Sequence, residues 1–124
     1  MLELVSARST CARRAVGAII VDKKHRVLAT GYNGPPSGFK HCIDSPCLGA
    51  NDPPGDSSRC DAIHAEVNAI LQCHRLDLAW KMYVSCSACF TCSKMIAQTP
   101  IKHVVCLETY AEKNDVLRRA GISQ

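Results

Sequence analysis

The 124-residue sequence predicts an α/β fold, a mixed sheet with helices on its faces. Three observations carry this expectation. Short apolar, β-branched runs alternate with segments of helical period, in the order β, β, α, β, α, β, α. The first two runs are joined by a brief polar turn, which makes them an antiparallel hairpin. The later strands are separated by helices, as parallel neighbours require.

Each element has its own signal. Residues 16–21 (VGAIIV) form the first strand, 22–25 the turn, and 26–30 (RVLAT) the second strand. That strand ends at Gly31-Tyr32-Asn33-Gly34. Residues 34–60 hold five of the six prolines and show neither helical nor strand period, so they read as a long loop. His41, Cys42, Cys47 and Cys60 favour an ordered, functional loop. Residues 62–73 (AIHAEVNAILQC) are helical, with an apolar stripe at 63, 67, 70 and 71 and Asp61 as the N-terminal acid. Residues 81–87 form a strand, with Met82, Val84 and Cys86 on one face and Tyr83 and Ser85 on the other. Residues 89–98 form a helix that stops before Pro100. Residues 101–107 form the last strand, and 110–120 a last helix with Gly121 as its stop. No internal repeat or low-complexity segment occurs.

Length is that of one domain, spanning 1–124, with enough chain to bury a core. Hydrophobic content of 47% with 21% charged residues is ordinary for a globular protein. No apolar run reaches membrane-spanning length, and Glu3 and Arg8 interrupt any signal-peptide pattern, so a cytoplasmic location is expected. In a reducing compartment, nine cysteines (an odd number) point to metal or catalysis rather than disulfides. The net charge of +4 suits an anionic ligand such as a nucleotide phosphate. The basic residues occur only in pairs, such as Lys23-Lys24 and Arg118-Arg119. That is a solvated surface rather than a nucleic-acid groove.

The chemistry concentrates in His64-Ala65-Glu66 and Cys89-Phe90-Thr91-Cys92. Cys89 and Cys92 lie one turn apart at a helix start, so both sulfurs can face one point. A helix N-terminus favours their thiolates. His64, near the start of the other helix, supplies a third metal ligand. Three protein ligands leave a position for water, whereas structural zinc sites normally use four. Glu66, two residues from His64, can take a proton from metal-bound water and pass it to a substrate. A ferredoxin-type run would need a cysteine at position 96, which is isoleucine. A redox pair would not call for the His-x-Glu. Cys86, at the end of its strand, is expected to pack rather than to bind metal, as are Cys73 and Cys106.

These residues resemble the zinc-dependent cytidine/deoxycytidylate deaminase superfamily, whose signature is H-x-E followed by P-C-x-x-C. Gly31-Tyr32-Asn33-Gly34, the upstream cysteines and Asn68 resemble the deoxycytidylate (dCMP) deaminases of phages and bacteria. The family has proline before the first ligand cysteine. Here Ala88 stands there, which gives up a pre-set helix start but keeps every ligand. The resemblance implies a three-layer α/β/α cytidine deaminase-like fold. It implies a catalytic Zn2+ on His64, Cys89 and Cys92 that presents hydroxide to C4 of cytosine. Glu66 would serve as the proton carrier, and the product dUMP would supply thymidylate synthesis. It further implies that Asn33 meets the deoxyribose 3′-hydroxyl, that backbone at Ala65 contacts the base, and that Tyr110 lies near the phosphate. Relatives hold a second, structural zinc, for which Cys11, Cys42, Cys47 and Cys60 are the candidates. Regulation by dCTP (activator) and dTTP (inhibitor), with Mg2+ and with Lys40 and Arg75 at the regulatory site, and a hexameric assembly are also implied. Two other readings compete: a tRNA adenosine-type deaminase acting on nucleic acid, and a non-catalytic zinc-stabilised binding module.

Overall fold

The computed structural model describes residues 1–9, 15–38, 63–86, 88–108 and 115–124. The elements are α1 (Leu2–Ser6), β1 (Gly17–Val21), β2 (Val27–Tyr32), α2 (Ala65–Gln72), a 3₁₀ turn (Leu76–Leu78), β3 (Lys81–Cys86), α3 (Phe90–Ala97), β4 (His103–Glu108) and α4 (Val116–Arg119). The strands form one sheet in the order β2-β1-β3-β4. β1 pairs antiparallel with both β2 and β3, and β3 pairs parallel with β4. This is the expected mixed sheet, with an antiparallel hairpin first and parallel strands later.

The pleat sorts side chains between two cores. Ala18, Ile20, Met82, Val84 and Val104 join Ala65 and Ala69 of α2, Cys92 and Ile96 of α3, and Leu117 of α4. Ile19 and Val21 face the opposite side and meet Leu2 of α1, with Val5 and Tyr83 at the edge. β1 is buried along its whole length for this reason. Its run of consecutive apolar residues is what a strand covered on both faces requires. α1 has no counterpart among the expected elements. At five residues it shows too little period to announce itself, and it is held by packing on β1. Gly17 permits that packing, because a Cβ there would lie 2.8 Å from the Ser6 nitrogen.

The expected helix over 62–73 begins three residues later. Ile63 is instead paired with Gly34, each backbone N–H donating to the other's carbonyl, at 2.7 and 3.2 Å. Of the expected stripe at 63, 67, 70 and 71, Val67 and Ile70 pack against the core, half-buried, while Leu71 faces outward, 68% exposed. The buried side of α2 is Ala65, Glu66 and Ala69. The cause is Gly31 on β2. A Cβ there would overlap the Ala65 carbonyl oxygen and the Ala69 nitrogen, so α2 sits almost directly on the strand backbone. Only small side chains fit such an approach. Of the expected helix over 110–120, the described part is Val116–Arg119, where Asp115 accepts from Arg119 Nε at 3.1 Å. No helix among the described residues is long and apolar enough to cross a membrane.

Candidate metal and catalytic centre

β2, β3 and β4 all end at the same sheet edge, and β1 begins there, as the pairing registers require. This is where open α/β sheets bind ligands. Two helices start at this edge. His64 is the residue that caps α2, with extended φ −64° and ψ 150°, and Cys89 is the residue that caps α3, with φ −70° and ψ 173°. Capping positions turn the chain sharply, so both side chains project from the helix starts instead of lying along a helix face.

The two starts converge. His64 Nδ1 is 3.1 Å from the Cys92 sulfur and 3.4 Å from the Cys89 sulfur. All three donor atoms lie within 4.8 Å of one another. Tetrahedral zinc with ordinary Zn–N and Zn–S bonds needs N···S separations of about 3.6 Å. The donor set, one imidazole and two sulfurs, is the set zinc takes. Among the described residues no other His/Cys/Asp/Glu cluster of three or more forms. Cys86 is outside this cluster and packs against the larger core, as its strand face predicts.

The electrostatics are those of an anion-stabilising site. The Cys89 thiol is held down at about 3, first by a hydrogen bond from the Cys92 thiol and then by His64 and the Cys92 backbone N–H. That N–H reaches the Cys89 sulfur at 3.4 Å, so the ligand sulfur also caps the helix. Cys92 is pushed up by the same bond and by burial, so the pair shares its proton unequally. His64 is raised by its hydrogen bond with Cys89. Glu66 is 4% exposed, and burial raises it above the ordinary carboxylate range. Its carboxylate hydrogen-bonds the Cys92 side chain and feels the His64 charge. A buried carboxyl beside such a donor set, with its proton held to higher pH than an exposed carboxyl, is placed to hold and pass a proton.

The other expected site residues are distributed as follows. Asn33 is buried at the end of β2, where its Oδ1 accepts from the Val16 N–H at 2.8 Å. Ala65, fully buried, is the first residue of α2 and lies between His64 and Glu66. Arg75 is away from the cluster, in an exposed ion pair with Asp77 at 2.9 Å. Cys11, Lys40, His41, Cys42, Cys47, Cys60 and Tyr110 lie outside the described residues. Two residues matter more than sequence reasoning anticipated. Asn68 was legible only as part of a resemblance, and the structure gives it two backbone partners at this edge. Cys106, expected as plain packing, hydrogen-bonds the Ala88 backbone and lies within electrostatic reach of Glu66. Its strand position carried no signal of that, because β4 reaches the site only through its parallel pairing with β3.

Comparison with known proteins gives a consistent result. Residues 1–108 match the family described as the cytidine and deoxycytidylate deaminase zinc-binding region. The chain is 40% identical over 128 residues to a deoxycytidylate deaminase of Saccharomyces cerevisiae, covering 97% of this chain and 40% of the yeast protein. It is 43% identical over 105 residues to a deoxycytidylate deaminase of Mycobacterium phage D29, covering 79% of this chain and 81% of the phage protein. In structure it is similar to the dCMP deaminase of cyanophage S-TIM5 solved in complex with dCMP and dUMP. That match has a TM-score of 0.76 and 33% identity, covering 98% of this chain and 88% of the phage chain.

Proposed function

The chain belongs to the cytidine and deoxycytidylate deaminase zinc-binding family, and on that premise we propose that it hydrolyses dCMP to dUMP and ammonia. The observation that carries this reading is the buried Glu66 carboxyl beside the His64–Cys89–Cys92 donor set. Bound Zn2+ would supply Lewis acidity, lowering the pKa of a coordinated water to about 7. Glu66 accepts a proton as the water oxygen adds to C4 of the cytosine, and donates it to ring N3. It then carries a proton to the departing amino group, so the C4–N bond breaks with release of ammonia. The nucleotide substrate is supported by the phage relative solved with dCMP and dUMP bound.

In this proposal Asn33 meets the deoxyribose 3′-hydroxyl, with its Oδ1 already fixed by the Val16 N–H. The Ala65 backbone contacts the base, and Tyr110 lies near the phosphate. A structural zinc on Cys11, Cys42, Cys47 and Cys60 also belongs to the proposal. So do dCTP and dTTP regulation with Mg2+ at Lys40 and Arg75, a hexamer, and a cytoplasmic location. Residues 1–124 act as one deaminase domain.

Ammonia release from dCMP, deoxycytidine and tRNA, with wild type and Glu66→Gln, tests this reading. The expected result is turnover of dCMP, with Glu66→Gln lower by at least about 10²–10⁴-fold in kcat while retaining zinc. Turnover of tRNA but not dCMP overturns the substrate, and full activity in Glu66→Gln overturns the mechanism. Adding dCTP or dTTP reads the regulation, and zinc content of one or two per chain decides the second site.

A further inference from the structure

The donor helix and the loop at the end of β2 are tied together by one side-chain amide. Asn68 Nδ2 donates to the Tyr32 carbonyl at 2.8 Å and to the Ile63 carbonyl at 3.4 Å. Tyr32 is the last residue of β2, and Ile63 immediately precedes His64. The same amide nitrogen therefore touches the strand end on one side and the approach to the metal ligand on the other. Around it, Gly34 and Ile63 exchange backbone hydrogen bonds. Asn33, between Tyr32 and Gly34, has its carbonyl accept from the Ser9 hydroxyl at 3.0 Å and its Oδ1 accept from the Val16 N–H.

Local chemistry gives no reason for asparagine here. In a helix interior it is a poor residue, because its amide competes for backbone partners. The tertiary chemistry supplies one. Two carbonyls must be served from one short side chain, and the asparagine NH₂ has two N–H bonds to donate. An ionised aspartate has only acceptors, and serine has a single O–H donor.

We infer that Asn68 is a positioning residue that holds the Tyr32–Gly34 loop in register with His64, so that the substrate side and the metal side of the site keep one relative placement. It acts through Tyr32 and Ile63, whose backbone carbonyls its amide reaches. This inference rests on the proposed deamination, in which that loop receives the nucleotide.

The test compares zinc-loaded wild type with Asn68→Ala, Asn68→Ser and Asn68→Asp. Two quantities are read: amide hydrogen exchange at Gly34 and Ile63, and the KM and kcat for dCMP. In Asn68→Ala, exchange at those two amides is expected to accelerate about tenfold, the worth of one hydrogen bond, while Ile20 and Met82 in the central ladder keep their rates. KM is expected to rise by about the same factor with little change in kcat, the pattern of lost ground-state placement. Asn68→Ser, which retains a donor, should fall between wild type and Asn68→Asp in both readouts. That ordering decides the matter if Asn68→Ala does not fold. Unchanged exchange at Gly34 and Ile63, or faster exchange with KM unaltered, overturns the inference. A wild type that releases no ammonia from dCMP overturns the deaminase reading instead, and the exchange data still report whether the Asn68 link exists.

Discussion

Cys89 takes two roles with one sulfur atom: it accepts the Cys92 N–H at the start of α3 and stands 3.4 Å from His64 Nδ1. Cys86, three residues earlier, has the same side chain and a different environment, half-buried against the core on the Met82/Val84 face of β3. Spacing alone makes the two look equivalent. The expected outcome of substitution separates them. His64→Ala should lose zinc, read as metal per chain after gel filtration, whereas Cys86→Ala should keep it with at most a packing loss of about 1 kcal/mol. Zinc retained in His64→Ala and lost in Cys86→Ala would reverse the ligand assignment. Because Cys92 holds its proton in the metal-free protein, loading zinc at neutral pH should also release protons to the buffer.

α2 shows how a strand sets a helix. Gly31 lets the helix backbone descend onto β2, and this seat fixes where His64 and Glu66 emerge. Gly31→Ala is expected to cost about 1–3 kcal/mol by overpacking, seen in thermal unfolding of the metal-free protein. It should also weaken zinc retention against a chelator, since the displaced helix carries His64. Unchanged stability and unchanged zinc release would show that α2 does not depend on this approach. The β1–β2 turn is set differently. Asp22 Oδ1 accepts from the Lys24 and Arg26 N–H groups, both at 2.9 Å, and Oδ2 meets Arg26 Nε at 3.2 Å. The Arg26 N–H, first among these, holds the carboxyl below its ordinary value of 3.8. A depressed folded-state value means stabilisation that is present above the unfolded pKa and lost as pH falls through the folded one. Asp22→Asn should therefore unfold at lower temperature than wild type at neutral pH, with the gap closing below about pH 4. A gap independent of pH would assign the loss to packing.

The largest fully buried side chains, Ile20, Met82 and Ile96, all belong to the core beneath α2 and α3. Ile96 joins α3 to that core, so Ile96→Ala should destabilise the whole molecule by about 2–5 kcal/mol in denaturant unfolding. A loss below 1 kcal/mol would mean that the helix is held from its capped end alone. The element order from β1 onward, the mixed sheet, the hairpin and the His64, Cys89 and Cys92 set that the fold brings together were legible in the sequence. They depend on local pattern: β-branched runs, a Cys-x-x-Cys one turn apart at a helix start, and an acid two residues from a histidine. The face of α2, the helix α1, the roles of Gly31 and Asn68, and the contact of Cys106 with Ala88 were not legible. Each depends on a partner distant in the sequence, from 11 residues between Ser6 and Gly17 to 36 between Tyr32 and Asn68, brought near by the fold. The sequence by itself determined which atoms are present to bind a metal and move a proton, because residue type and helical spacing are local properties. Only the tertiary structure decided that His64 and Cys89 cap two different helices at one sheet edge, because their separation is set by the backbone approach at Gly31 and by the β2–β1 and β1–β3 registers.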